Sequence, residues 1–453
     1  MNQSMSRYTN QTLFQLTWPF FIEIGLHMMM GMMATLMLGR YSDAAAAGVG
    51  VANQLLNLFI LVFNVTSIGA TLLISRHLGA DHGDRAVKTA HAAFFMNFWL
   101  GLLIAAIVFF FGSHFLALFD VHGQIYRDGL TFLHICGASL FLEAMIQIFS
   151  AIIRSHGLAK QAMFVTILMD MISVGANLIA THGLLGWPMV GVLGVSWGMV
   201  GARLVALVLL IVIAWRQLHL MIMPSDLFHI ERRTIHELLA IGLPSAGEIF
   251  SYQIAQLSIT ALVAILGGSS LSARVYIVNV TMFCFLFTSA IAEATQLLVA
   301  RSMGSGKENE AYSRGLRTVR IATLSSLAVS IVIASLGSLI LSLFTHTEAI
   351  IAIGLPVLWI NVLAEPGRAI NIVLMSSLKS AGDVRFPVLI GVCSMWTIAV
   401  GLSYLLGLYW GFGLLGIWIA QGADEWFRGI FALRRWRSRP WLHHQPSEVI
   451  FQD

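Results

Sequence analysis

Four side chains set in long apolar runs carry most of the chemistry open to this sequence: Glu23, Asp170, Asn177 and Glu248. An ionisable group inside a membrane span costs about 2.5–3.5 kcal/mol on insertion scales, so each needs a reason to be there. Glu23 follows Pro19 by four residues, and Glu248 follows Pro244 by four. Proline inside a helix removes a backbone donor and clashes with the carbonyl four residues back, which predicts a kink. Carbonyls freed beside a carboxylate suit Na⁺, or a proton held by a desolvated acid. The other role for these glutamates is structural, accepting a hydrogen bond from a neighbouring helix.

Asp170 and Asn177 lie seven residues apart, two turns along one helix face, with Ser173 between them. They could share a pocket with Glu23 if their helices touch, with Na⁺ near Glu23 and Asp170 as the one metal the sequence suggests. The alternative places Asp170 near the inner end of its helix, facing water. His27, in mid-helix, either titrates near neutral pH or simply packs. In the second half Glu365 and Arg368 stand at (i, i+3), with Pro366 between them as a third kink site. They form either a self-neutralising pair or a gate, and Glu143 is a second partner for Arg368. Asn53, Gln54 and their neighbours Asn57 and Asn64 must face protein or water, because an unpaired amide facing lipid is costly. They are assigned to the substrate cavity.

These residues need elements to hold them. The 453-residue chain is 58% hydrophobic and only 11% charged, with mean hydropathy +0.82. Soluble domains carry roughly 25% charged residues, so the composition implies an integral membrane protein. The net charge of +4 sits at segment ends, which excludes a nucleic-acid binder. A span needs about 20 apolar residues. That ruler predicts twelve helices, near 12–38, 46–75, 88–112, 127–152, 161–182, 191–215, 238–267, 273–300, 318–343, 350–378, 386–407 and 412–432. Of the 26 Lys and Arg, 22 are assigned to the side of the N-terminus, the even-numbered loops and the tail, Arg203 among them. Arg40, Arg127 and Arg274 fall opposite, and Arg368 lies within a span. The asymmetry places both termini in the cytoplasm.

An offset of 225 relates the two halves. Pro19, Glu23, Arg154 and Gly157 return as Pro244, Glu248, Lys379 and Gly382. Each half has six helices, so the expected fold is an all-α membrane protein of two six-helix lobes related by a parallel pseudo-two-fold repeat, with the substrate site between them. The expected organisation is 1–216 as the N-terminal lobe, 217–237 as a cytoplasmic linker, 238–437 as the C-terminal lobe and 438–453 as a cytoplasmic tail. An intramembrane enzyme would need a nucleophile–base pair or a metal cluster at membrane depth; none appears, so no catalytic residue and no cofactor is assigned.

Thr17-Trp-Pro-Phe-Phe-Ile-Glu23, then Thr35 to Asp43, then Gly48 to Gln54 resemble the opening of a MATE (multidrug and toxic compound extrusion) transporter. Ala364-Glu-Pro-Gly-Arg368, Leu378 to Pro387 and Asp424 to Gly429 are similar to a bacterial branch of that family. The resemblance covers roughly residues 10 to 440. It implies an efflux antiporter in the bacterial inner membrane, exporting small cationic or amphipathic organic compounds through alternating access of two lobes, driven by inward H⁺ or Na⁺ and working as a monomer. A lipid-linked oligosaccharide or lipid flippase of the wider superfamily is the alternative. The sequence departs from the pattern at Ala34, where many relatives have Asp, at Ser173 for the usual Asn, and at Arg368, where sodium-coupled relatives can have Asp.

Overall fold

A computed structural model of the chain describes residues 12–117, 119, 121–183, 189–220, 232–345 and 347–443. Among these residues the secondary structure is entirely helical. Twelve helices follow in order: α1 Leu13–Tyr41, α2 Asp43–Gly79, α3 Gly83–Ala117, α4 in two halves (α4a Gly123–Ala138 and α4b Leu140–Ser155), α5 Ala159–His182 and α6 Val192–Leu218. The second set is α7 Arg232–Ile265, α8 Gly268–Gly304, α9 Glu308–Ser335 with a short continuation Gly337–Ser342, α10 Glu348–Ser380, α11 Arg385–Tyr409 and α12 Gly413–Ser438. Among the described residues nine of these are long and apolar enough to cross a bilayer, and the two halves of α4 together make a tenth. The helices α1 and α12 complete the set of twelve.

Local chemistry sets the ends. The Thr12 hydroxyl caps α1 by accepting from Gln15 N, while Gln15 returns a bond to Thr12 N. Ser42 caps α2 by accepting from Ala45 N at 3.3 Å, with Asp43 in the first turn. The 37-residue helices α2 and α8 run about 55 Å at 1.5 Å per residue, well beyond the hydrocarbon core. Pro19, Pro244 and Pro366 all lie inside helices that continue past them.

The chain forms two compact units, Met1–Ala246 and Gly247–Asp453. In the first, α2 packs against α3 and both halves of α4, while α5 packs against α1 and α6. Glycine permits the closest approach: a Cβ on Gly48 of α2 would lie 2.5 Å from the Ile125 carbonyl oxygen of α4a. The first turns of α7 belong to this unit as well. A Cβ on Gly242 would meet the Val65 oxygen of α2 at 1.8 Å, so only glycine fits. The unit boundary falls two residues after Pro244. Of the connection expected at 217–237, residues 221–231 lie outside the described residues, and Arg232 onward is already helical.

The second unit is built on α10, which packs against α8, α9 and α12. The end of the unit near the C-terminus of α12 is fixed by aromatic stacking, with Trp436 between Tyr312 and the buried Trp441. The segment expected as a tail thus begins with a docked turn, Pro440–His443, and residues 444–453 lie outside the described residues. Cys136 and Cys284 are buried and Cys393 is exposed.

Two helices depart from the expected course. The run expected as one helix over 127–152 breaks at Ser139, and its halves bend by 47°. There is no proline there; the chain reads Gly137-Ala138-Ser139. In α11 the first turns, Arg385–Ser394, are α-helical, but Met395–Leu402 and Tyr404–Tyr409 wind in wide π turns. Such turns are rare and collect at functional sites.

Candidate functional site

The packing of α1 on α5 creates two rungs. Glu23 and His27 are one turn apart on α1, and Thr166 and Asp170 are one turn apart on α5. On the first rung the buried Glu23 carboxylate accepts from Thr166 Oγ1 at 3.0 Å and pairs with Arg154 at the end of α4b. On the second, His27 Nδ1 lies 3.5 Å from Asp170 Oδ2. Asp170 is buried, and Oδ2 makes no hydrogen bond of good geometry among the described residues.

Asp170 opens onto a cavity of about 460 Å³ inside the first unit. Ser173 and Asn177 line it from the same face of α5, Asn53 and Asn57 from α2, and Glu143 and Gln147 from α4b. Phe132, Met169 and Met199 supply an apolar, polarisable wall. The oxygens Asn177 Oδ1 and Gln147 Oε1 are buried with no hydrogen-bond partner among the described residues. A buried acceptor costs about 1–3 kcal/mol when unpaired, so these oxygens call for a partner from the cavity, water or a guest.

Arg203 of α6 is the cation of this cavity. Its Nε lies 3.1 Å from Glu143 Oε2, and its Nη1 donates to Ser139 Oγ at 2.8 Å and to the Cys136 carbonyl at 3.4 Å. The guanidinium therefore spans the break in α4 and is the second donor to the freed Cys136 carbonyl, which also accepts from Ser139 Oγ at 2.8 Å. Glu143 is neutralised by this pair, whereas among the described residues Asp170 has only His27, which is charged only when protonated. With His27 neutral the described lining carries one net negative charge.

The expected site residues thus separate. Asp170, Asn177, Asn53 and Glu143 share the cavity, and His27 stands at it with its side chain 69% exposed. Glu23 does not line it, because Arg154 takes up its carboxylate on the rung beside it, and a carboxylate already neutralised by a guanidinium is a poor cation ligand. Gln54 is exposed and lies outside the lining. Glu248 repeats the first rung in the second unit: it pairs with Lys379 Nζ at 2.5 Å, at the same 225 offset as Glu23 and Arg154. Arg203 escapes a reading of the sequence that treats basic residues as topology markers. Its signal was its place in the middle of an apolar run and its repeat as Arg428.

Glu365 and Arg368 pair at 2.5 Å, as their spacing predicts, within a larger network of the second unit. Arg368 Nε reaches Glu425 at 3.4 Å, Asn371 donates to Glu425 at 2.7 Å, and Arg428 holds both Asp424 and Glu425. Asn361 links Glu365 to the indole N–H of Trp418. Glu143 and Arg368 each have these partners within their own unit.

With twelve helices, an internal repeat and a polar cavity in a helical bundle, the chain matches known proteins over its whole length. The MatE family model matches residues 19–179 and again residues 244–405. The chain belongs to the MatE family. Its two matches start 225 residues apart, at the two prolines that begin the repeat. A MatE chain of this kind is a multi-pass membrane transporter, and its fold is the two-lobe, twelve-helix one. The uncharacterized transporter YisQ of Bacillus subtilis is 40% identical over 431 residues, covering 95% of each chain. The probable multidrug resistance protein NorM of Thermotoga maritima is 26% identical, covering 95% of this chain and 92% of its own. Among solved structures, a MATE transporter in the bent conformation superposes with a TM-score of 0.89 at 18% identity, over 98% of both chains. A transporter of the wider superfamily from Pyrococcus furiosus gives 0.86 at 18% identity, over 94% of this chain and 95% of its own.

Proposed function

We propose that this MatE protein is an efflux antiporter that exports cationic or amphipathic organic compounds in exchange for inward H⁺ or Na⁺, with Asp170 as the exchanging carboxylate. The observation that carries this reading is a buried carboxylate with no Lys or Arg partner among the described residues, set in a drug-sized cavity beside unpaired amide oxygens. A cation, whether cargo or driving ion, supplies the charge Asp170 lacks. A proton on Asp170 or His27 cancels that charge, so cargo and proton compete for one site, which is the minimum that antiport requires. Multidrug-resistance relatives such as NorM of Thermotoga maritima support the cargo class.

In this reading Asn177 and Asn53 line the cargo path with Asp170. Glu23 and Glu248 hold each lobe together, and Glu365 with Arg368 anchors the second. The lobes are 1–216 and 238–437, both termini face the cytoplasm of a bacterial inner membrane, and the working unit is a monomer. The experiment is dye efflux from proteoliposomes with a sodium gradient and a pH gradient imposed separately. Export driven by one gradient, and lost in Asp170→Asn, supports the reading. No cation export under either gradient overturns it.

A further inference from the structure

We propose that Arg203 sets the charge of the cargo: by occupying Glu143 it leaves Asp170 as the one carboxylate of the cavity without an arginine or lysine partner among the described residues, and so selects singly charged organic cations over doubly charged ones. This rests on the export reading above and adds a specificity-determining residue to it. The guanidinium is fixed, not roaming. It is buried and bonded to Glu143 at 3.1 Å, to Ser139 Oγ at 2.8 Å and to the Cys136 carbonyl at 3.4 Å, all across the break in α4. Among the described residues two carboxylates and one arginine line the cavity, and with His27 neutral one negative charge is left over. The nearby Glu23 is already paired with Arg154 and adds nothing. His27 adds a positive charge only when protonated.

A singly charged guest is matched by Asp170. A doubly charged one brings a second charge out of water with no counter-charge to meet it, and an uncompensated charge in a low-dielectric site is strongly disfavoured. The volume of about 460 Å³ admits one drug-sized guest, so a second site cannot share the charge.

The test uses the purified full chain in detergent at pH 7.5 and measures binding of tetraphenylphosphonium, a monocation, and dimethyl-bipyridinium, a dication, by isothermal titration. The wild type should favour the monocation by at least about tenfold, equivalent to about 1.4 kcal/mol. Arg203→Met bares Glu143 and should shift the ratio toward the dication by at least about tenfold. Glu143→Gln bares Arg203 and should weaken the monocation by about tenfold. The double variant Glu143→Gln/Arg203→Met removes both charges and should return the ratio toward that of the wild type. Should Arg203→Met fail to fold, Glu143→Gln and the double variant decide. Equal affinity of the wild type for the two cations, or unchanged monocation binding in Glu143→Gln, overturns the proposal while leaving export intact. A wild type that neither binds nor exports either cation overturns the export reading with it.

Discussion

The two lobes share a scaffold and differ in what they do with it. Glu23 with Arg154 and Glu248 with Lys379 are the same ion pair, each spanning 131 residues of sequence and joining the first helix of its lobe to the end of the fourth. Around that common pair the lobes diverge. In the first, α5 offers Asp170, Ser173 and Asn177 to a cavity. The positions 225 residues on are Met395, Ile398 and Leu402 of α11, apolar and wound in π turns. Glu143 corresponds to Arg368, and Arg203 to Arg428. Where the first lobe has one acid–base pair beside a cavity, the second has two arginines cross-linked by Glu365, Asp424 and Glu425. At the positions that repeat Glu143 and Arg203 the second lobe sets arginines paired with its own acids, whereas Asp170 of the first has no Lys or Arg partner among the described residues, so the ion and cargo chemistry is proposed for the first.

The most direct way to break this contrast is Asp170→Asn. It should reduce gradient-driven dye export from proteoliposomes to the level of empty vesicles while the protein still elutes as a folded species. Export at the wild-type rate would move the chemistry out of the first lobe. Next in size are Glu23→Gln and Glu248→Gln, each of which strands a partly buried base. Each should cost about 3 kcal/mol, the lower end for breaking a buried pair, read as thermal stability in detergent. The two losses should be similar, and pairing Glu23→Gln with Arg154→Met should recover part of the first. A large loss of transport with no loss of stability in Glu23→Gln would show instead that Glu23 belongs with Asp170.

Smaller effects sharpen the picture. Thr166→Val removes the hydroxyl that donates to Glu23 and should cost about 1.5 kcal/mol, as expected for a hydrogen bond to a charged group. The corresponding residue of the second lobe, Gly391, has no hydroxyl to lose; a Cβ there would sit 3.0 Å from Glu248 Oε1. Trp418→Phe removes the indole bond to Asn361 and should cost about 1 kcal/mol, confined to the second lobe, with dye export unchanged per folded molecule.

Much of this was open to a reading of the sequence, and the rest was hidden for definite reasons. The duplication is legible because Pro19, Glu23 and Arg154 return in kind at one fixed spacing. The shared face of Asp170, Ser173 and Asn177 follows from helical periodicity alone. That Glu23 finds Arg154 does not follow, since partners 131 residues apart are joined only by the packing of α4b near α1 and α5. The break at Ser139 carries no proline; its local signal is only Gly137 and a serine whose hydroxyl bonds back to the Cys136 carbonyl, and Arg203 stabilises it from outside. Arg203 itself looked like one more basic residue in a chain whose basic residues mark loops. The winding of α11 has no signature in Met395 to Tyr409 that separates it from an ordinary apolar helix.

The repeated glutamate–base pair also has a bearing on ancestry. A contact present in both copies is most simply inherited from the single six-helix protein that was copied, whereas Asp170, Arg203's grip on Glu143 and the arginine-rich knot of the other copy occur once each. On that history the fastening came first, and the cargo chemistry proposed for Asp170 was written afterwards, on one copy, while its twin was free to harden into a frame.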